Sequence, residues 1–588
     1  MRGMISTLAV IWRLAVPYFR SEDRWAGRAL LAAIISIELA IVGLTVLFNS
    51  WNNTFYNALQ DRNWDAFVYQ LGYFCVLATA FIVLAVYQLY LNQWLQIRWR
   101  RWLTANYLER WLDRSTHYRM QLVGDTADNP DQRIAEDVKQ FIDAGATGIG
   151  IMPIGLGLLN SIVTLASFAV ILWTLSAAAP LKLFGMSYSI PGYLFWAALI
   201  YAIAGTALTH LIGRPLIALN FQQQRYEADF RFNLMRVREN AEQIALLEGE
   251  QAERGRLLGR FGSVVANWMT IMSRQKKLTF LTAGYGQAAV VFPFIMVSPA
   301  YFAQTIQLGG LMQTASAFGS VQSAFSFFVD AYRRIAEWLA VVERLDGFDR
   351  AIAAVGTAAQ VQPAIALTPA TKGGALTFKD LALRLPNGMP LVNAVDISIA
   401  AGEKVLVNGP SGSGKSTLFR ALAGIWPFGS GTIAVPKNAR IMMLPQRPYF
   451  PIAPLAAAVA YPAQPGTYDS KQVAELIAAV GLPALAGRIE EEAHWNRMLS
   501  LGEQQRLGIA RALLHAPDYL FLDEATASLD EAAEAAVYRL IEERLAKTTL
   551  VSIGHRATLA AFHRRRLSFT REGDRFIVAD NGAIAAAE

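Results

Sequence analysis

Six stretches of this chain are long and apolar enough to cross a bilayer, and all fall within the first 330 of 588 residues. A crossing needs about 20 residues of helix. The spans read Ala29–Phe48, Ala66–Tyr90, Gly150–Leu175, Gly192–Ile212, Leu278–Phe302 and Gly309–Val329. The last is the weakest, being rich in Ser and Gln. Composition agrees, since charged residues make up only 17%, against about 25% in soluble proteins. A single cysteine, Cys75, excludes an intrachain disulfide framework and a cysteine-based zinc site.

The net charge of +7 does not point to nucleic acid, because its placement has another cause. Arg98, Arg100, Arg101, Arg110, Arg114, Arg119, Arg133 and Lys139 lie between spans two and three. Arg214, Arg225, Arg231, Arg236, Arg238, Arg254, Arg256, Arg260, Arg274, Lys276 and Lys277 lie between spans four and five. The opposite side offers little beyond Arg62 and Lys182. Basic loops stay in the cytoplasm, so both segments and the N-terminus are expected to face inward. Each segment is helix-like, and about 30 helical residues project some 45 Å. Gly124 and Pro130 mark a turn in the first.

Residues 1–28 lack a cleavage site, and Arg13 interrupts their apolar run. An interfacial amphipathic helix is expected there. The six-helix domain then spans 29–345, an Ala/Thr/Pro-rich linker 346–371, and a soluble domain 372–588. In this last part strand and helix patterns alternate, as in an α/β domain with a largely parallel sheet.

The soluble part carries the chemistry. Gly409, Pro410, Ser411, Gly412, Ser413, Gly414, Lys415 and Ser416 fit G-x-x-x-x-G-K-S after an apolar strand, with Thr417 following in the helix they open. Such a loop turns backbone N–H groups onto phosphate oxygens, and the helix N-terminus adds a favourable dipole. Lys415 is expected to neutralise β- and γ-phosphate charge, and Ser416 to ligate Mg²⁺. The strand in YLFLDEATASLD ends in two carboxylates. Asp523 is expected in the Mg²⁺ shell and Glu524 as the general base that polarises water.

The third motif, LSLGEQQR over Leu499–Arg506, resembles the ABC ATPase signature, usually LSGGQ. The resemblance covers the whole soluble domain. It implies two such domains sandwiching two ATP molecules, with Ser500, Gly502 and Glu503 of one copy capping nucleotide held by the other. Leu501 replaces the first glycine of that signature and Glu503 the glutamine. The resemblance further assigns Gln446 to the Q-loop glutamine that touches Mg²⁺, His555 to the switch histidine on the γ-phosphate, and Asp530 to the loop where the two domains meet. Leu385 stands where an adenine-stacking Tyr is often found.

NPDQRIAEDV (Asn129–Val138), RVRENAEQIALLEGE (Arg236–Glu250) and LPQRPYFPIAPLAAAVAYP resemble subfamily-D ABC transporters. VPYFRSEDRW and FYNALQDRNWDAF resemble the bacterial SbmA/BacA-like uptake proteins. The fold implied is an exporter-type six-span helical domain plus an α/β P-loop ATPase. The function implied is a homodimeric half-transporter of a bacterial inner membrane, with its ATPase in the cytoplasm. The expected cargo is peptides or other bulky hydrophilic solutes, including corrinoids. Outward movement of lipid or acyl chains, and proton-coupled transport with a regulatory ATPase, are the alternatives.

Polar residues within the spans are costly and mark candidate pathways. Glu38 lies mid-span and is expected to face a watery cavity, or else to sit neutral and hydrogen-bonded at a helix contact. Gln313, Ser316, Ser320, Ser323 and Asp330 fall near one face of the sixth helix. They are expected to line the translocation path, although small residues also favour close helix packing. Asn160, Ser161, Thr164 and His210 are weaker candidates.

Overall fold

The computed structural model describes residues 2–123, 129–143, 145, 148–178, 181–183, 186–188, 190–358, 365–370 and 374–583. The chain divides into two compact units, one of Met1–Leu108 with Asn129–Gly347, the other of Glu109–Asp128 with Phe348–Glu588.

The first unit is helical. A short helix α1 (Arg2–Ala15) precedes six long ones: α2 (Arg24–Gln60), α3 (Trp64–Leu112), with the short α4 (Thr116–Val123) following it, then α5 (Ile151–Ala178), α6 (Tyr193–Glu239), α7 (Glu250–Phe302) and α8 (Leu308–Ala358). Of the long helices, α2, α3, α5, α6 and α7 are apolar enough to cross a membrane. The Ser- and Gln-rich α8 is the exception. Several of these helices far exceed bilayer thickness, as the basic segments foretell: α7 alone has 53 residues.

The turn after α1 is pinned to α3. Tyr18 stacks on Trp99 with ring centroids 5.5 Å apart. The Arg98 guanidinium grips Asp23 through both nitrogens and holds its carboxyl below the ordinary range. Between α4 and α5, the π-helical turn Arg133–Asp137 sets the buried Asp137 carboxylate between Arg133 and the partly exposed Arg344. Beside it, the Trp338 indole donates to the Phe141 carbonyl at 2.9 Å.

At the far end of α2, Asn49, Asn53, Asn57 and Gln60 recur every three or four residues and so share one face. They meet the start of α8. Asn49 donates to the Gln313 carbonyl and Asn53 to the Gln313 side-chain oxygen, while Asn57 and Gln60 accept from the N–H groups of Gly309 and Leu308. Two otherwise orphaned helix N-terminal donors are thereby satisfied.

The second unit holds a ten-stranded sheet. Its strands are β1 (Ile365–Ala370), β2 (Leu376–Arg384), β3 (Pro390–Ile399), β4 (Lys404–Asn408), β5 (Gly429–Pro436), β6 (Ile441–Leu444), β7 (Tyr519–Asp523), β8 (Thr549–Ile553), β9 (Arg565–Glu572) and β10 (Arg575–Ala583). The spatial order is β1-β5-β2-β3-β10-β9-β4-β8-β7-β6. From β9 to β6 neighbouring strands are parallel. Their near-continuous apolar runs suit a sheet covered on both faces. Among its helices are α9 (Lys415–Leu422), α10 (Leu501–His515) and α11 (Glu531–Arg544).

Two features depart from the sequence reading. Much of 346–371 is ordered, residues 346–358 prolonging α8 and 365–370 forming an edge strand parallel to β5. And α4, placed with the membrane domain by sequence, packs within the second unit. Arg119 donates to the Gly424 carbonyl at 2.8 Å, and Leu122 rests on the sheet core.

Candidate nucleotide site and polar cavity

Register explains why three distant motifs meet. Val407 lies beside Ile553, and Ile553 beside Asp523. Strands β4, β8 and β7 therefore end level, and the loops beginning at Gly409, Gly554 and Glu524 emerge together. Parallel sheets place ligands at this carboxyl edge.

The loop after β4 has the geometry of a phosphate cradle. Gly409, Gly412 and Gly414 all have positive φ, which only glycine adopts freely. At Gly409 a side chain would strike Phe569, its Cβ falling 2.6 Å from that residue's Cβ. Lys415 closes the loop, donating to the carbonyls of Gly409 and Pro410 at 2.8 Å each. Burial lowers its pKa, against the opposing pull of Glu524 and Asp523. The Ser413 hydroxyl is buried without a protein partner, an orphan that a phosphate oxygen would satisfy. Pro410, Ser411 and Thr417 lie in this loop and the first turn of α9, where Thr417 is buried.

Ser416 donates to Asp523 at 2.8 Å, while burial raises the Asp523 pKa. A hydroxyl beside a carboxylate is an all-oxygen donor set suited to Mg²⁺. Next to it, Glu524 adopts a left-handed backbone (φ 51°) and donates its N–H to the Ile553 carbonyl. Strain of this kind persists where surrounding structure imposes it. Its carboxylate is bracketed. Gln446 donates to one oxygen at 3.2 Å, and His555 Nε2 lies 3.3 Å from the other. Thus Lys415, Ser416, Asp523, Glu524, Gln446 and His555, separated by up to 140 residues in sequence, converge.

The signature helix α10 begins with a capping box. Ser500 accepts from the Glu503 N–H, and the Glu503 carboxylate accepts from the Ser500 N–H at 2.8 Å. These bonds hold Glu503 below the usual carboxylate range. Glutamate therefore performs the N3 capping role open to glutamine as well. Gly502 closely approaches the Ser528 carbonyl. Asp530 caps α11 by accepting from the Ala533 N–H. Leu385 forms a tight turn with Gly388 and Met389 and packs against the sheet core.

Residues to which the sequence assigned no role tie this site together. Gln505 is 1% exposed. Its amide donates to the Gln446 carbonyl and accepts from the Ser528 N–H. Arg511 reaches the carbonyls of Tyr449, Ala458 and Val459 from α10, and burial lowers its pKa to about 10. Arg556, beside His555, donates to the Ala527 and Leu529 carbonyls. Gln505 sits inside the signature motif and Arg556 next to His555, but only the fold shows what either holds, and no motif marks Arg511.

In the first unit, a cavity of about 500 Å³ opens between α2, α5 and α8. Thr45, Asn160, Ser161, Thr164, Ser316, Ser320 and Ser323 contribute its polar lining. Two residues expected on a path lie elsewhere. Gln313 is taken up by Asn49 and Asn53, because both partners sit on the facing side of α2. Glu38, 6% exposed, accepts from Asn160 of α5 and Gln88 of α3. It occupies the hydrogen-bonded helix contact, one residue removed from the cavity through Asn160. His210 is exposed on α6. The Asp330 side chain lies outside the described residues.

Comparison with known proteins matches this geometry to one family. A family model described as ABC transporter transmembrane region 2 matches residues 14–302, and one described as ABC transporter matches 392–527. The chain is 35% identical to an uncharacterized ABC transporter ATP-binding protein of Haemophilus influenzae, over 96% of this chain and 92% of the relative. It is 33% identical to the chloroplastic ABC transporter D family member 2 of Arabidopsis thaliana, over 96% and 87%. Identity is 24% to the lysosomal cobalamin transporter ABCD4 of Mus musculus, over 95% and 94%. A bacterial Atm1-family ABC exporter solved with ATP bound shares the fold, with a TM-score of 0.68, 18% identity and coverage of 93% and 94%.

Proposed function

Since this chain belongs to the ABC transporters, as an ATP-hydrolysing half-transporter of the D subfamily, we propose that two copies form a transporter importing peptides or other bulky hydrophilic solutes. The observation that carries this reading is the polar cavity. Hydroxyl and amide groups from three helices line it, and such groups are costly inside a bilayer unless they serve a polar occupant or one another. The SbmA/BacA-like stretches support the inward direction, and a bacterial inner membrane as the location. The cobalamin relative keeps corrinoids within the cargo class.

Each ATP is held by the phosphate loop of one copy and capped by Ser500, Gly502 and Glu503 of the other. Lys415 neutralises phosphate charge. Ser416, Asp523 and Gln446 would hold Mg²⁺, which would supply positive charge to the phosphate oxygens. Glu524 accepts a proton from the attacking water, held in place by Gln446 and His555. Capture of two nucleotides draws the copies together, and the long helices carry that closure toward the cavity. The cytoplasm is the side where the ATPase and the N-terminus lie.

Purified protein in proteoliposomes, supplied with ATP and a panel of labelled peptides, corrinoids and acyl compounds, tests the reading. ATP-dependent movement of peptide or corrinoid in the import direction is expected. Transport of acyl compounds alone, or movement only in the export direction, overturns it.

A further inference from the structure

An apolar cavity of about 640 Å³ lies where α1 and the turn after it meet α2 and α5. This volume falls within the range of small-ligand sites. Ile11, Val16, Phe19, Leu31, Ile35 and Leu156 supply much of its wall. The turn cannot drift away from this position, because Asp23 and Tyr18 fasten it to Arg98 and Trp99 of α3.

The wall has two polar exceptions, Arg20 and Arg28. Both stand just before the apolar run of α2 begins, at the depth where lipid headgroups lie. The Arg28 Nε donates to the Phe19 carbonyl at 3.0 Å, which fixes one edge of the guanidinium and leaves its terminal nitrogens for another acceptor. Neither arginine has a carboxylate partner among the described residues. Trp12 lines the groove and the Trp25 ring lies 5.8 Å from the Arg28 guanidinium carbon; the two are 68% and 72% exposed. Exposed tryptophans at such a depth are a mark of the membrane interface.

We propose that this groove holds one anionic phospholipid, with an acyl chain against the apolar wall and the phosphate between Arg20 and Arg28. An acyl chain matches the wall, and an anion matches two cations that pair with no carboxylate among the described residues. A zwitterionic lipid would bring its own cation to the same place, so the groove discriminates by headgroup charge. The site is independent of cargo and direction, since none of its residues lines the polar cavity.

Native mass spectrometry of the full chain, titrated with phosphatidylglycerol or phosphatidylcholine, reads this directly. Wild type is expected to retain phosphatidylglycerol preferentially. Arg20→Ala/Arg28→Ala is expected to lose that preference, with affinity weaker by about tenfold or more. Arg20→Lys/Arg28→Lys is expected to keep it. A second variant acts through shape. A Cβ at Gly155, which lines the same groove, meets nothing within 4 Å. Gly155→Phe should therefore fill the groove and displace lipid while both arginines remain. Equal retention of the two lipids by wild type, or phosphatidylglycerol binding undiminished in both the alanine and the phenylalanine variants, overturns the proposal.

Discussion

The Gln505 side chain donates to the backbone carbonyl of Gln446 at 3.0 Å, so the signature helix physically holds the loop whose own side chain touches the Glu524 carboxylate. The same Gln505 amide accepts from the Ser528 N–H at 2.9 Å. One buried side chain thus sets the spacing of the signature helix and two loops, the one carrying Gln446 and the one running from Glu524 to Ser528.

Gln505→Ala should misplace those loops without emptying the nucleotide site. Leaving a buried N–H unsatisfied costs about 1–2 kcal/mol, and a loss of that size in the transition state slows turnover roughly tenfold. Steady-state ATPase assays should show kcat falling while KM for ATP changes little. An equal loss in KM alone would assign Gln505 to nucleotide binding instead.

Glu38 accepts hydrogen bonds from two amides, Gln88 and Asn160. A glutamine there keeps a carbonyl acceptor and nearly the same shape. Transport by Glu38→Gln should remain within about threefold of wild type, a loss of under roughly 1 kcal/mol. A carrier that moves protons through this carboxyl would stop entirely, which an uptake assay under an imposed pH gradient distinguishes.

Gly309 packs so closely on α2 that a Cβ there would lie 1.9 Å from the Asn53 carbonyl oxygen. Gly309→Ala must push α8 from α2 and strain the Asn49–Asn53–Gln313 bonds. Overpacking of this kind costs about 1–3 kcal/mol, so the melting temperature of the detergent-purified protein should fall. Gly43→Ala, whose Cβ would meet nothing within 4 Å, should leave it unchanged or raise it slightly.

His563 gives a pH dependence with a definite sign. Its Nδ1 faces the Leu559 carbonyl at 2.7 Å and so must carry the hydrogen, while Nε2 accepts from Ser552 at 2.9 Å. Burial lowers its pKa from 6.5 to about 4. The unfolded chain therefore binds the proton first, and stability is lost as pH falls from about 6.5 to about 4. The full effect is about 3 kcal/mol. His563→Gln should flatten this part of the stability profile in chemical denaturation, even if it lowers stability near neutrality.

What could be read from sequence divides along a physical line. The phosphate loop, Asp523 and Glu524 were legible because each is a short contiguous motif between a strand and a helix or loop, with chemistry set by local backbone form. The long helices were legible because about 20 apolar residues in succession have few other uses. Gln505, Arg511 and His563 gain meaning only from what folds against them. Gln313 shows the limit from the other side. Its spacing on α8 matched the serines that line the cavity, but two asparagines on α2 claim it. Spacing tells which residues share a face, and only the facing helix decides what that face meets. The reach of α4 to Gly424, across some 300 residues, leaves no periodic trace at all.

In the transporter proposed above, two copies bury ATP between them and Glu524 is needed for hydrolysis. Native mass measurement of Glu524→Gln with ATP and Mg²⁺ tests this most directly. A species of twice the 64.7 kDa chain mass carrying two nucleotides is expected, with ATPase activity reduced by roughly 10²–10⁴-fold. A solitary chain that hydrolyses ATP at the wild-type rate would contradict it.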